Sequence, residues 1–182
     1  MAAVSPPFVP TEPTSTWYGP EGRSEWLDIN WREHLSWASL RRGPINYVDI
    51  GEGEALVFVH GLSGCWQNWL ENIPYFARSR RVIALDLPGF GASPMPTEKT
   101  SINLYASVID ELLDGLGIET ASVVGNSMGG FTGAELAIEF ATRVDRLVLV
   151  SAAGLTTADM HNDRTLAALR KAEFLLAGGA AW

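Results

Sequence analysis

The chain has 182 residues, with 13 basic against 21 acidic side chains and a formal net charge of −8. That length holds one domain with a sizeable core and excludes two large ones. The acidic balance argues against nucleic acid or an anionic membrane as partner, because an acidic surface releases no counterions from either.

Hydrophobic residues make up 47% of the chain, a value typical of globular proteins, yet no apolar run approaches the ~20 residues of a membrane span. The first stretch, MAAVSPPFVPTEPTSTW, has no basic n-region and no apolar h-region, so a cytoplasmic location is expected. The single cysteine, Cys65, excludes an internal disulfide framework and a cysteine-based zinc site.

In chain order, residues 1–22 are rich in Pro, Ser and Thr without an apolar period, and residues 1–30 are expected to form a flexible arm. Some of Trp17, Trp26, Trp31 and Trp37 are expected to pin its later part to the core. From residue 31 the stretches WREHLSWASL and INYVDIG alternate as two strands, joined by the turn RRGP. ALVFVHG, RVIALDLPG, ASVVGNS and VDRLVLVSAAG are short continuous apolar runs, the pattern of parallel strands covered on both faces.

Helical patterns lie between these runs. WQNWLENIPYFARS is interrupted by Pro74, which fits the first turn of a short helix capped by Asn72. SINLYASVIDELLDGLG puts Ile102, Tyr105, Ile109, Leu112 and Leu116 on one face, with Thr100 or Ser101 as N-cap and Gly117 beyond the end. After residue 127, Gly129, Gly130, Gly133, Ala134 and Ala137 let a helix lie close on a sheet. The alternation of strands and helices predicts an α/β fold with a mostly parallel sheet over residues 31–154.

Open α/β sheets bind ligands at the carboxyl ends of their strands. Gly89 and Gly91 are followed by Ala92, Ser93 and Pro94, so the third glycine of a dinucleotide fingerprint is missing. No phosphate-binding G-x-x-x-x-G-K-[ST] occurs either, and no cofactor or metal is implied. Gly125-Asn126-Ser127-Met128-Gly129 is G-x-S-x-G at a strand-to-helix junction. A turn that abrupt forces the serine into a strained backbone conformation and requires small neighbours. It also lifts the hydroxyl clear of the sheet at a helix N-terminus, with the Met128 N–H directed at a developing oxyanion.

With these residues the chain resembles the α/β-hydrolase family over roughly residues 31–155. His60-Gly61-Leu62 closes the strand ALVFV and is similar to the family's oxyanion loop, which implies that the Leu62 N–H is the second oxyanion donor. DLPGFGAS is similar to the turn after the next strand, and SAAGL to the point where a cap begins. The resemblance implies an α/β-hydrolase fold and a serine hydrolase acting on an ester-type carbonyl of a small-molecule substrate. The G-N-S-M-G-G wording also resembles the elbow of carbon–carbon hydrolases that cleave ring-fission products. A non-catalytic binding protein on the same fold is the remaining alternative.

Other polar residues have plainer readings. His60 is expected to bond loop backbone, His34 to be a surface residue, and Asp86 to tie its turn together. His161, Asp159 and Asp163 read as a polar cap segment, and Cys65 as a packed bystander. Trp66 and Trp69 fit either a pocket wall or core packing. In the family's order the triad acid and histidine follow the nucleophile. Here residues 155–182 read as the start of a helical cap, and no later strand follows to carry either. The sheet is thus expected to be truncated before its last strands, the 182-residue form inert, and VDRLVLVS an apolar edge open to self-association.

Overall fold

The computed structural model describes residues 24–154. The elements are β1 (Leu35–Leu40), β2 (Gly43–Ile50), β3 (Ala55–Val59), α1 (Ile73–Ala77), β4 (Arg81–Leu85), α2 (Ile102–Gly115), β5 (Ala121–Asn126), α3 (Met128–Glu139) and β6 (Val144–Val150). The expected cap, residues 155–182, lies outside the described residues, as does most of the expected arm.

The strands form one sheet in the order β1-β2-β4-β3-β5-β6. β1 and β2 form an antiparallel hairpin closed by the Leu40–Gly43 pair, and β2 runs antiparallel to β4. The β4, β3, β5 and β6 strands are mutually parallel. The sheet is therefore mixed, and parallel where the four continuous apolar runs lie.

Burial follows the sequence pattern. All five residues of β3 are buried, as are four of the five in β4. The sheet separates two apolar layers. On one face α2 and α3 cover Val57, Val59, Ile83, Leu85 and Val123, with Ile109, Leu112, Leu113 and Leu136 at or below 1% exposure. On the other face Phe58, Trp66, Trp69 and Ile73 pack over Leu56, Val82 and Ala84. Phe58 stacks on Trp69 with ring centroids 4.6 Å apart. Each such fully buried side chain stabilises the fold by about 1.5–3 kcal/mol relative to exposure.

Several local expectations shift. The first strand begins at Leu35 rather than Trp31, because Trp31–Glu33 is wound into a 3-10 turn held by Asn30 Nδ2 donating to Glu33 Oε1 at 2.6 Å. Asn72 does precede α1, with Pro74 in the first turn, but its backbone is already helical and its side chain makes no cap bond. The Trp66–Trp69 segment ahead of it is a separate 3-10 turn. Ser101 is the cap of α2, accepting from the Leu104 N–H at 3.0 Å. That helix is buried over a wider arc than the expected stripe, with Leu104, Ala106, Val108 and Leu113 added, because it packs on both the sheet and α3. His34 is half-buried at the end of the 3-10 turn, where its backbone carbonyl accepts from the Asp49 N–H.

The segment from Ser24 to Glu33 is tied to the body. Trp26 Nε1 donates to Glu71 Oε1 at 2.6 Å, and the Trp31 ring lies 5.1 Å from Trp66. At the other end of the sheet, Arg143 anchors the entry to β6. It pairs with Asp110 at 2.7 Å and with Asp114, both on α2, and donates to the Ile118 carbonyl. Beyond that anchor β6 is the sheet edge, with Val148, Leu149 and Val150 exposed at 50%, 37% and 40%. It is therefore not covered on both faces as its sequence run suggests. No helix among the described residues is long and apolar enough to cross a membrane.

Candidate active site

The chain leaves β3 toward β4 on one side and reaches β5 on the other, so β3 and β5 flank a topological switch point. Val59 pairs with Gly125, which ends the two strands side by side. The loops that follow, one from His60 and one through Ser127, therefore meet at the carboxyl edge of the sheet.

Ser127 occupies the single residue between β5 and α3, with φ 52° and ψ −116°. Positive φ in a serine costs roughly 1–3 kcal/mol and persists only where surroundings impose it. Here the surroundings are explicit. The Ser127 N–H donates to Val150 O at 2.9 Å, and Ser127 O accepts from Gly130, Phe131 and Ala153 at 3.0–3.2 Å. Asn126 Nδ2 also donates to Val150 O at 3.3 Å. The end of β6 thus locks the turn.

The flanking glycines are required by space. A Cβ on Gly125 would lie 2.3 Å from the Gly129 carbonyl oxygen, and one on Gly129 would lie 2.2 Å from the Val59 oxygen. Helix α3 could not approach the sheet with larger residues. Ser127 stands at the N-cap position, yet its hydroxyl makes no capping bond. The Met128 and Gly129 N–H groups begin the helix and have no intrahelical acceptor.

Gly61 abuts this elbow: a Cβ on it would sit 3.2 Å from Ser127 Cβ and 3.1 Å from Asn126 Oδ1. Leu62 follows it, half-buried, and Ser63 takes φ 59° in a tight turn that returns the Gly64 N–H to Gly61 O at 3.0 Å. Beside the elbow lies a cavity of about 240 Å³ lined by His60, Gly61, Asn68, Trp69, Asn126 and Val150. Ser127 is not in that lining; Gly61 and Asn126, which touch it, are. Trp69 is both core and wall, and its Nε1 is buried with no acceptor among the described residues. Cys65 is half-buried, with its N–H held by Asn68 Oδ1 at 2.8 Å. Sequence reasoning does not single out Asn68 or Val150, since neither belongs to a motif and only the fold brings the Trp66–Trp69 turn and the end of β6 together.

His60 is fully buried, and both ring nitrogens are engaged. Nε2 accepts from the Leu87 N–H at 3.0 Å, so it carries no proton. Nδ1 therefore holds the hydrogen and donates to Gly61 O at 2.7 Å. Burial pushes its pKa below the ordinary value of 6.5, against the opposing pull of the Gly61 carbonyl and the Asp86 charge. A neutral ring with both nitrogens occupied has no lone pair left for a general base. Asp86 is 1% exposed, and its oxygens accept from Trp66 N–H at 2.7 Å and Ala92 N–H at 2.8 Å.

The elbow thus brings Gly125, Asn126, Ser127, Met128 and Gly129 against His60 and Gly61, with Leu62 next in the chain, while no base accompanies them among the described residues. His34, the other described histidine, precedes β1, four strands from β5, a lateral separation of roughly 19 Å at ~4.8 Å per strand. His161 lies outside the described residues.

A family profile described as alpha/beta hydrolase fold matches residues 54–175. A 2-hydroxy-6-oxo-6-phenylhexa-2,4-dienoate hydrolase of Comamonas testosteroni is 41% identical over 118 residues, covering 61% of this chain and 41% of that protein. A dihydrolipoyllysine-residue acetyltransferase component of the acetoin cleaving system of Cupriavidus necator is 41% identical over 115 residues, covering 63% and 31%. Among solved structures, a mutant of a meta-cleavage product hydrolase (CumD) is 36% identical with a TM-score of 0.62, covering 66% of this chain and 46% of that one. The chain spans less than half the length of these relatives. With the profile extending over most of the sheet and the elbow, this chain belongs to the α/β-hydrolase family.

Proposed function

We propose that the protein is a serine hydrolase that cleaves a carbon–carbon bond next to a ketone in a small oxo acid. The observation that carries the chemistry is the strained, uncapped Ser127 at the switch point beside a cavity walled by two carboxamides. What supports the substrate class is the likeness to hydrolases named for ring-fission products. A serine at the elbow suits attack on a carbonyl carbon.

In this reading Ser127 Oγ adds to the ketone carbon as a base takes its proton. The oxyanion is held by the N–H groups of Leu62 and Met128. Collapse breaks the carbon–carbon bond, and its electron pair leaves on a carbon stabilised as a conjugated enolate, which is then protonated. Water hydrolyses the remaining acyl-serine to a carboxylic acid. The base and its acid partner come from outside residues 24–154.

An ester substrate is the second reading. Among the described residues the cavity lining carries no cationic side chain to pair with a carboxylate, which favours a neutral ester carbonyl. The two are separated by giving the full-length protein 2-hydroxy-6-oxo-6-phenylhexa-2,4-dienoate and p-nitrophenyl butyrate in parallel. Faster turnover of the dienoate supports the first reading; turnover of the ester alone supports the second, and turnover of neither sinks both. We also propose that the exposed β6 edge allows self-association of this chain.

A further inference from the structure

Two buried polar side chains at the carboxyl edge of the sheet do more than satisfy themselves. The Asp86 oxygens reach two different loops: Trp66 N–H ends the loop that follows β3, while Ala92 N–H belongs to the loop that follows β4. The second loop is moulded to the carboxylate. Gly91, at φ +54°, would place a Cβ 2.2 Å from Asp86 Oδ2. Ser93 Oγ donates to the Asp86 carbonyl at 2.8 Å and accepts the Asn46 N–H at 2.9 Å, fixing that loop to β2.

His60 makes the complementary tie. It joins Gly61 O, at the start of the same β3 loop, to Leu87 N–H just beyond β4. Phe90 from the β4 loop packs edge-on against its ring at 5.4 Å. The loop between Gly61 and Trp66 is therefore held at both ends to one rigid support. A buried carboxylate and a buried imidazole are costly choices if filling the core were the only need.

We propose that Asp86 and His60 are positioning residues, a two-ended brace that fixes the Leu62 N–H relative to Ser127. This rests on the hydrolase reading above, in which Leu62 is an oxyanion donor. The polar atoms of both side chains are committed to loop backbone rather than offered to a substrate. Loosening either end lets the donor drift, and a displacement of about 1 Å at a catalytic group lowers turnover by up to ~100-fold. Drift of this donor weakens the transition state more than the bound ground state.

The test uses the full-length protein and p-nitrophenyl butyrate. In Asp86→Asn one acceptor oxygen becomes an amide that faces an N–H. The expected result is kcat down by roughly ten- to a hundredfold with KM within about threefold. His60→Gln is the second variant, with the same direction. Arg143→Met is the control: it breaks the Asp110 and Asp114 pairs far from the elbow, so it lowers Tm while kcat stays at the parent value. An Asp86→Asn enzyme with unchanged kcat overturns the proposal, as does a control that loses as much kcat at equal loss of Tm. A parent protein that hydrolyses neither this ester nor the dienoate overturns the hydrolase reading, and the brace with it.

Discussion

Gly129→Ala adds one methyl group where the structure has no room. The new Cβ would meet the Val59 oxygen at 2.2 Å, the His60 oxygen at 2.5 Å and the Val59 carbonyl carbon at 2.7 Å. All three are backbone atoms, so no side chain can swing aside. To restore ordinary contact at ~3.3 Å, α3 must withdraw by about 1 Å from the end of β3. Overpacking of this kind costs about 1–3 kcal/mol, while the better helix propensity of alanine returns under 1 kcal/mol. A net loss of ~1–2 kcal/mol lowers Tm by roughly 2–8 °C at this chain length. The same withdrawal carries Ser127 and the Met128 N–H away from the β3 loop that bears Leu62, so kcat should fall by about tenfold or more. Gly115→Ala is the matched control. A Cβ there meets nothing within 4 Å, at the last residue of α2, so Tm should hold or rise. Thermal melts and ester turnover of both variants decide the matter. A Gly129→Ala protein that melts and turns over like the parent would refute the close-packing argument.

Other consequences follow from the same geometry. Ser127→Gly removes the hydroxyl and relieves the positive φ, so it should abolish turnover while raising stability by about 1 kcal/mol; Ser127→Ala should abolish turnover without that gain, and equal melting temperatures would contradict the strain. The lowered pKa of His60 means that the unfolded chain binds more protons than the native one below pH 6.5. Stability is therefore full above that value and is lost as pH falls toward the native pKa. From about pH 7 to about pH 5 the parent should lose more Tm than His60→Gln does, and parallel losses would count against a buried neutral ring. Val148→Lys puts a charge on the open β6 edge, so it should shift sedimentation of the 182-residue chain toward monomer; a parent that is already monomeric removes the premise.

The parts of the structure legible in the sequence are those set by local pattern. The apolar runs of β3, β4 and β5 read as covered strands because both faces of each are buried. The elbow is legible because its steric demand selects glycine at positions 125 and 129, with a polar residue between. VDRLVLV reads like its neighbours, yet β6 is exposed, since burial depends on what lies beside a strand rather than on its own residues. Asn68 and Val150 are not legible as cavity walls. Neither has a motif, and the Asn68 side chain shows in sequence only as a polar residue between two tryptophans. Asp86 is readable as a turn residue, but its reach to Trp66, 20 positions earlier, depends on the pairing of β3 with β4.

The central claim is that Ser127 is the nucleophile. Treating the full-length protein with a fluorophosphonate probe and mapping the adduct by mass spectrometry of its peptides tests that most directly. The account predicts one adduct, on Ser127, absent from Ser127→Ala and formed more slowly when excess p-nitrophenyl butyrate competes for the site. An adduct on another residue, or ester turnover that survives in Ser127→Ala, would contradict it.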